Sequence, residues 1–367
     1  MLNSLSLKNF KCFEKLDIEF SNLNIFAGIN SMGKSTSIQA LLLLKQSYDV
    51  MAISKGLYLN GDLVNIGVGS DLLFNGSKID IIEIILSINN KNMSWTYDYS
   101  KSSDYLSLKD SYIEQECQLD MFNLFQQSFT YVSADRIAPK RIYEKAYHKV
   151  HEMNQVGYNG ELAADYLIER GNIDKINNKN VLHPKNKSLL LIDHTEEWIN
   201  EISPGIRLRT KNYEEAGMVA LEYVSKDEAQ SAFNPLNVGF GLSYVLPIIV
   251  ALLKAKSGDL VILENPEAHL HPKGQRKMGE LIAKAAVGGV QIIVETHSDH
   301  LLNGVRVAVK KNDIDPKQIR LNYFYRTSEG IYRKSCPVIL ADGNLSSWPD
   351  GFFDEWDKAI DELFFRW

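Results

Sequence analysis

The run Gly28-Ile29-Asn30-Ser31-Met32-Gly33-Lys34-Ser35-Thr36 sets four residues between two glycines and follows the second with Lys and Ser, the pattern of a phosphate-binding loop. Its flanks are those the pattern needs. Leu23 to Ala27 is a short apolar run that reads as a buried strand leading in, and the leucine-rich Ser35 to Gln46 reads as a helix leading out. Glycines let consecutive backbone N–H groups turn toward one anion, and the helix N-terminus adds the positive end of its dipole. Gly28, Asn30, Ser31 and Gly33 would form that cradle, Lys34 would reach the β- and γ-phosphates of a nucleotide, and the Ser35 hydroxyl would ligate Mg²⁺. Thr36 is an extra donor for the α-phosphate. A glycine turn that merely precedes a lysine is the alternative, and the strand and helix on either side argue against it.

The 367 residues, 45% hydrophobic and 23% charged, have the balance of a globular chain. They leave room for one large α/β domain with an inserted lobe, or for two ordinary domains. A formal net charge of −6 argues against wholesale coating of nucleic acid, whose backbone is bound mainly by Lys and Arg. Local basic patches stay open. Cys12, Cys117 and Cys336 are too scattered for a disulfide framework or a zinc knuckle, which fits a reducing cytosol. Met1 to Ser4 lacks the basic and apolar regions of a signal peptide, so a cytoplasmic location is expected. The most apolar stretch, Leu242 to Leu253, is too short to span a bilayer and contains Pro247; it reads as a buried helix.

Taken in order, Leu5 to Lys8 and Leu16 to Phe20 alternate as two strands of a hairpin-like entry. Ile79 to Ile88 and Met93 to Tyr99 form a second hairpin around Asn89-Asn90-Lys91-Asn92. Thr130 to Ala134 reads as a central strand ending at Asp135-Arg136, where ligands of open α/β sheets bind. Pro139 to His151 mixes basic residues with Tyr143 and Tyr147, a nucleic-acid surface or, more commonly, a solvated face. Helices are expected over Gly160 to Arg170 and Ser188 to Ile202, and strand-like pieces at Ile206 to Leu208 and Val219 to Val224 close this middle lobe. Buried strands return at Asp259 to Leu263, Gln291 to Val294 and Leu321 to Tyr325, with helices between, the mark of a parallel sheet covered on both faces.

A phosphate loop alone fixes no function, and its company narrows the choice. Leu260 to Glu264 has the form of a Walker B strand, ending in an acid able to hold Mg²⁺. It runs on as Asn265-Pro266-Glu267-Ala268-His269-Leu270-His271-Pro272, with Asn237-Val238-Gly239-Phe240-Gly241-Leu242-Ser243 upstream and Thr296-His297-Ser298 downstream. This order resembles the ABC-type ATPase heads of the OLD, RecF and SMC group, and more closely a small AAA-type, OLD-like subset. The opening Leu7-Lys8-Asn9-Phe10-Lys11-Cys12-Phe13 is similar to that family's first strand and turn. The resemblance covers Leu5 to Gln46 and Asn237 to Asp299, and matches the middle only at Tyr131 to Arg136. Trp348-Pro349-Asp350-Gly351-Phe352-Phe353-Asp354-Glu355 looks like a C-terminal element carried by one subset.

The resemblance implies an α/β P-loop NTPase with an ABC-ATPase-like head and a mixed sheet. Residues 1–60 and 235–345 would form the ATP-binding core, 61–234 an inserted β-hairpin and helical lobe, and 346–367 a C-terminal helix. It also implies that ATP joins two copies. One copy would supply the loop, Ser35 and Glu264 for Mg²⁺; the other would present Gly241 and Ser243, at a helix start, to the γ-phosphate. His297 would contact that phosphate or the attacking water. The implied work is ATP hydrolysis in a homodimer that signals to a separately encoded effector, in bacterial defence against phage. A DNA-linked, RecF-like role stays beside it. One departure bears on catalysis: Asn265 stands where the family carries the glutamate that orients water, and Asn cannot accept a proton. Glu267 is then the expected base, with Glu295 as the alternative, and a scaffold with little turnover is the rival reading. Too little chain follows Asp299 for the Toprim nuclease of the OLD enzymes, and no sustained heptads supply the coiled coil of true SMC proteins. His269 and His271 lack the partners of a zinc site. Phe353, Trp356, Ile360, Leu363, Phe364 and Trp367 recur at helical spacing, a stripe that either docks on its own domain or marks a partner surface.

Overall fold

A computed structural model describes residues 1–114, 118–225, 232–233, 240–349, 351–353 and 355–364. Cys117, Asn237 to Gly239, Asp350, Asp354 and Trp367, all named above, lie outside them. The chain opens with β1 (Leu2–Phe10), β2 (Phe13–Glu19), β3 (Leu23–Gly28), α1 (Lys34–Asp49) and β4 (Gly56–Tyr58). Then come β5 (Ile81–Ile88), β6 (Lys91–Asp98), β7 (Tyr105–Ile113), β8 (Thr130–Val132), β9 (Tyr143–Glu144), α2 (Ala163–Arg170) and α3 (Leu191–Ile202). β10 (Ile206–Tyr213), β11 (Met218–Ser225), β12 (Ala232–Phe233), α4 (Phe240–Lys254), β13 (Leu260–Glu264) and α5 (Pro272–Val287) follow. The chain closes with β14 (Gln291–Glu295), α6 (Asp299–Lys310), β15 (Ile319–Arg326), β16 (Tyr332–Ser335) and α7 (Glu355–Phe364).

The central sheet runs β16-β15-β3-β14-β13-β8, parallel throughout except for the antiparallel edge strand β16. Its apolar runs are buried on both faces, and alternate residues serve different cores. Leu260 and Ile262 of β13, Ile293 of β14 and Phe26 of β3 face one core with the leucines of α1. Val261, Leu263, Ile292, Val294 and Ile25 face the other, with the apolar stripes of α2 to α6. This is why the strands show no polar alternation.

A second sheet, β2-β1-β5-β6-β7-β4, packs over the α1 side, and β9 to β12 form a small antiparallel sheet. Gln291 ties the first two together: its amide donates to the Leu2 carbonyl and its Oε1 accepts from the Leu2 N–H, both at 2.7 Å. β5 to β7 extend the sheet of β1 and β2, and β8 closes the edge of the central sheet beside β13. The second hairpin turns on Asn89 and Asn90, both at positive φ, the conformation of a two-residue primed turn. Among the described residues no helix is long and apolar enough to cross a membrane.

Candidate functional site

The loop between β3 and α1 is held by two glycines that nothing larger could replace. Gly28 has φ 141°, and a Cβ there would fall 2.3 Å from the Phe324 carbonyl oxygen of β15. Gly33, at φ 95°, is the residue that caps α1, and a Cβ there would fall 2.5 Å from the Phe13 ring. Ser31 between them is also left-handed, at φ 63°. The Lys34 ammonium donates to the carbonyls of Gly28 at 2.8 Å and Ile29 at 2.9 Å. Burial lowers its pKa, and Glu295 and Glu267 oppose that shift. Asn30, Ser31, Gly33, Lys34, Ser35 and Thr36 line one wall of a cleft of about 1180 Å³; Asn265, Glu295 and His297 line another. Lys11 and Cys12, at the β1–β2 turn, and Tyr332 of β16 also line it.

Three carboxylates lie at the ends of β13 and β14. Glu264 and Glu295 are register neighbours across the two strands. Burial raises the pKa of both, and the Glu264 charge helps to push Glu295 up to about 7. Their environments differ. Glu264 accepts the Ala134 N–H at 3.2 Å and the Tyr131 hydroxyl, and Arg136 clamps the backbone behind it by donating to the carbonyls of Glu264 and Asn265, each at 2.7 Å. Glu295 instead accepts the Ser35 hydroxyl at 2.9 Å. Glu264 thus bonds to the chain around β8, and Ser35 bonds to Glu295. Glu267 is also buried and raised by desolvation; its Oε1 accepts the His297 N–H at 2.7 Å. The second oxygens of Glu267 and Glu295 are buried without a hydrogen-bond partner. Asn265 bends through φ 44°, and its side-chain oxygen is likewise unpartnered.

His297 is exposed at the cleft, and partial burial with the nearby Lys34 charge holds its imidazole below the usual pKa, in the neutral form that can accept a proton. Gly241 and Ser243 lie elsewhere, in the first turn of α4. A Cβ on Gly241 would meet the His269 carbonyl oxygen at 2.6 Å, and the Ser243 hydroxyl is bonded to that of the buried Tyr223. His269 packs its ring edge against Tyr244 at 4.7 Å, and the Arg136 guanidinium lies over the same tyrosine. His271 caps α5, its Nδ1 accepting the Lys273 N–H at 3.3 Å.

The close contact of Glu295 with Ser35 is the feature the sequence conceals most, since Glu295 reads there as the end of an apolar strand. The signal was two strands both ending in Glu, which parallel pairing brings side by side. The C-terminal turn was also unplaced. Gly351, Phe352 and Phe353 close a cavity of about 370 Å³ against Gly28, Ile29 and His297.

The family model described as "AAA domain, putative AbiEii toxin, Type IV TA system" matches residues 23–303, and one described as "Protein of unknown function (DUF3696)" matches residues 314–363. No curated protein matches the chain. Among solved structures, an Smc head bound to the C-terminal winged-helix domain of ScpA is 16% identical, with 91% of this chain and 97% of that one covered and a TM-score of 0.56. An Smc head with an extended coiled coil bound to the C-terminal domain of ScpA, from Pyrococcus furiosus, is 15% identical, with 99% of each chain covered and a TM-score of 0.52. At these identities the likeness is one of fold: a mixed α/β P-loop NTPase head.

Proposed function

The chain belongs to the AAA-domain family whose description names AbiEii and a type IV toxin–antitoxin system, and from that membership we propose that it is an ATPase head that closes as a homodimer on ATP and passes this change to a separately encoded effector. The observation that carries the reading is the convergence of the Lys34 ammonium, the Ser35–Glu295 pair and the exposed His297 on one cleft floored by a glycine-cradled helix N-terminus. Ammonium, hydroxyl, backbone N–H groups and a buried carboxylate are the donor set that magnesium and a triphosphate require. Magnesium, when bound, neutralises charge on the phosphates. Gly28, Asn30, Ser31, Gly33, Lys34, Ser35 and Thr36 would hold the triphosphate, and His297 would contact its γ-phosphate or the attacking water.

Hydrolysis is assigned to Glu267 and His297. Glu267 has one oxygen on the His297 backbone and the other unpartnered, so it both fixes that segment and retains a site for a proton. Gly241 and Ser243, in the first turn of α4, are assigned to the nucleotide of a second copy, where the Ser243 hydroxyl would exchange its bond to Tyr223 for the γ-phosphate. A toxin–antitoxin description supports a defence role. The second reading is a scaffold that binds ATP with little turnover, favoured by Asn265, which offers no proton acceptor at its position.

Nucleotide binding and phosphate release by the purified chain test this. We expect the parent to bind ATP and release phosphate, Lys34→Ala to do neither, and Glu267→Gln to bind but lose turnover by about a hundredfold or more. Binding without release in the parent establishes the scaffold. Equal phosphate release by parent and Glu267→Gln removes Glu267 from catalysis.

A further inference from the structure

Resting on the reading that this cleft takes a magnesium-bound nucleotide, we infer that Glu295, at the end of β14, is the carboxylate that holds the divalent cation beside Ser35, and that Glu264 of the Walker B strand has been given a structural task instead. The two acids are one strand apart and equally placed along the sheet. What separates them is the company each keeps.

Glu295 touches the loop. Its Oε1 is 2.9 Å from the Ser35 hydroxyl, the oxygen a phosphate loop offers to magnesium. Its Oε2 is buried with no hydrogen-bond partner, and the side chain lines the cleft with Lys34 and Ser35. A buried carboxylate oxygen without a donor is costly unless a cation satisfies it. Magnesium is usually held by one or two carboxylates together with substrate phosphates, so a hydroxyl and one acid suffice from the protein.

Glu264 touches the neighbouring strand. Its Oε2 accepts the Ala134 N–H at 3.2 Å and its carboxylate accepts the Tyr131 hydroxyl, both from the chain around β8. The cleft wall passes from Asn265 to Glu295 without it. It therefore positions β8 and the Arg136 clamp, which in turn fixes the bend at Asn265.

Manganese affinity of the complex with a non-hydrolysable ATP analogue, read by electron paramagnetic resonance on the full chain, tests the assignment. Glu295→Gln is expected to weaken manganese binding by at least about tenfold, the loss seen even when a metal ligand's supporting partner is removed, while metal-free analogue binding stays. Glu264→Gln is expected to change it by less than about threefold, well below that loss. A second pair of variants keeps the result independent of stability. Glu295→Cys should transfer preference from manganese to cadmium, a thiophilic ion, and Glu264→Cys should not. The reverse ranking, or equal losses in both Gln variants, overturns the assignment. Failure of the parent to bind the analogue at all, with or without metal, overturns the nucleotide reading and this inference with it.

Discussion

Glu264, Glu267 and Glu295 are carboxylates taken out of water at the ends of two neighbouring strands, and burial raises the pKa of each, Glu295 to about 7. An acid whose folded pKa lies above its unfolded value near 4.5 binds more protons in the folded state between the two. Its contribution is therefore full below about pH 4.5 and declines as pH rises through 7. For Glu295 the loss is of order 3 kcal/mol at most. In the metal-free chain, Glu295→Gln should raise the melting temperature relative to the parent by more at pH 7.5 than at pH 5.5; an equal difference at both would show that the acid is not strained by its site. Lys34 and Ser35 were legible in sequence because a loop motif is local. Glu295 was read only as an alternative base, and its contact with Ser35 was not legible, since it depends on pairing with β13 and on the approach of α1 from far along the chain. The hydrogen bonds that Glu264 accepts from Tyr131 and Ala134 were not legible either, because those residues are more than a hundred positions away.

At the level of elements, apolar runs and turn chemistry carried most of the fold. Strands β3, β13 and β14 were found because burial on both faces leaves no polar interruption, and the β5–β6 hairpin because Asn tolerates positive φ. Asn90→Val, forced into the left-handed region at φ 62°, should cost about 1–2 kcal/mol in denaturant unfolding. β7 escaped notice because most of it is exposed and its residues keep no alternation. The three residues of β8 were found as a strand, but their position at the edge of the central sheet follows from a non-local partner. The C-terminal element divides in two. Phe352 is buried, with its ring 4.9 Å from Tyr323, whereas Leu363 and Phe364 of α7 are exposed. Phe352→Ala should cost about 3–5 kcal/mol, read by thermal melting. Removal of residues 354–367 should leave the melting temperature within a few degrees of the parent; collapse of the fold would place the α7 stripe in the core.

Across the whole molecule, one parallel sheet separates two apolar cores, and the ends of its strands gather residues from both termini of the chain around a single cleft. α1 carries the loop into one core, while α4 rises from the other with Gly241 and Ser243 at its start. In the proposed dimer, two copies related by a two-fold axis would each bring the start of α4 to the other's cleft. The change that would be passed to an effector is then a change in assembly, driven by the difference in affinity of one and two chains for the triphosphate. Sedimentation velocity of the Glu267→Gln chain, with and without ATP and magnesium, tests this most directly. The account predicts the mass of one chain without nucleotide and of two with it, with no shift for Lys34→Ala. An unchanged mass on adding ATP and magnesium, or the same dimer in their absence, would contradict it.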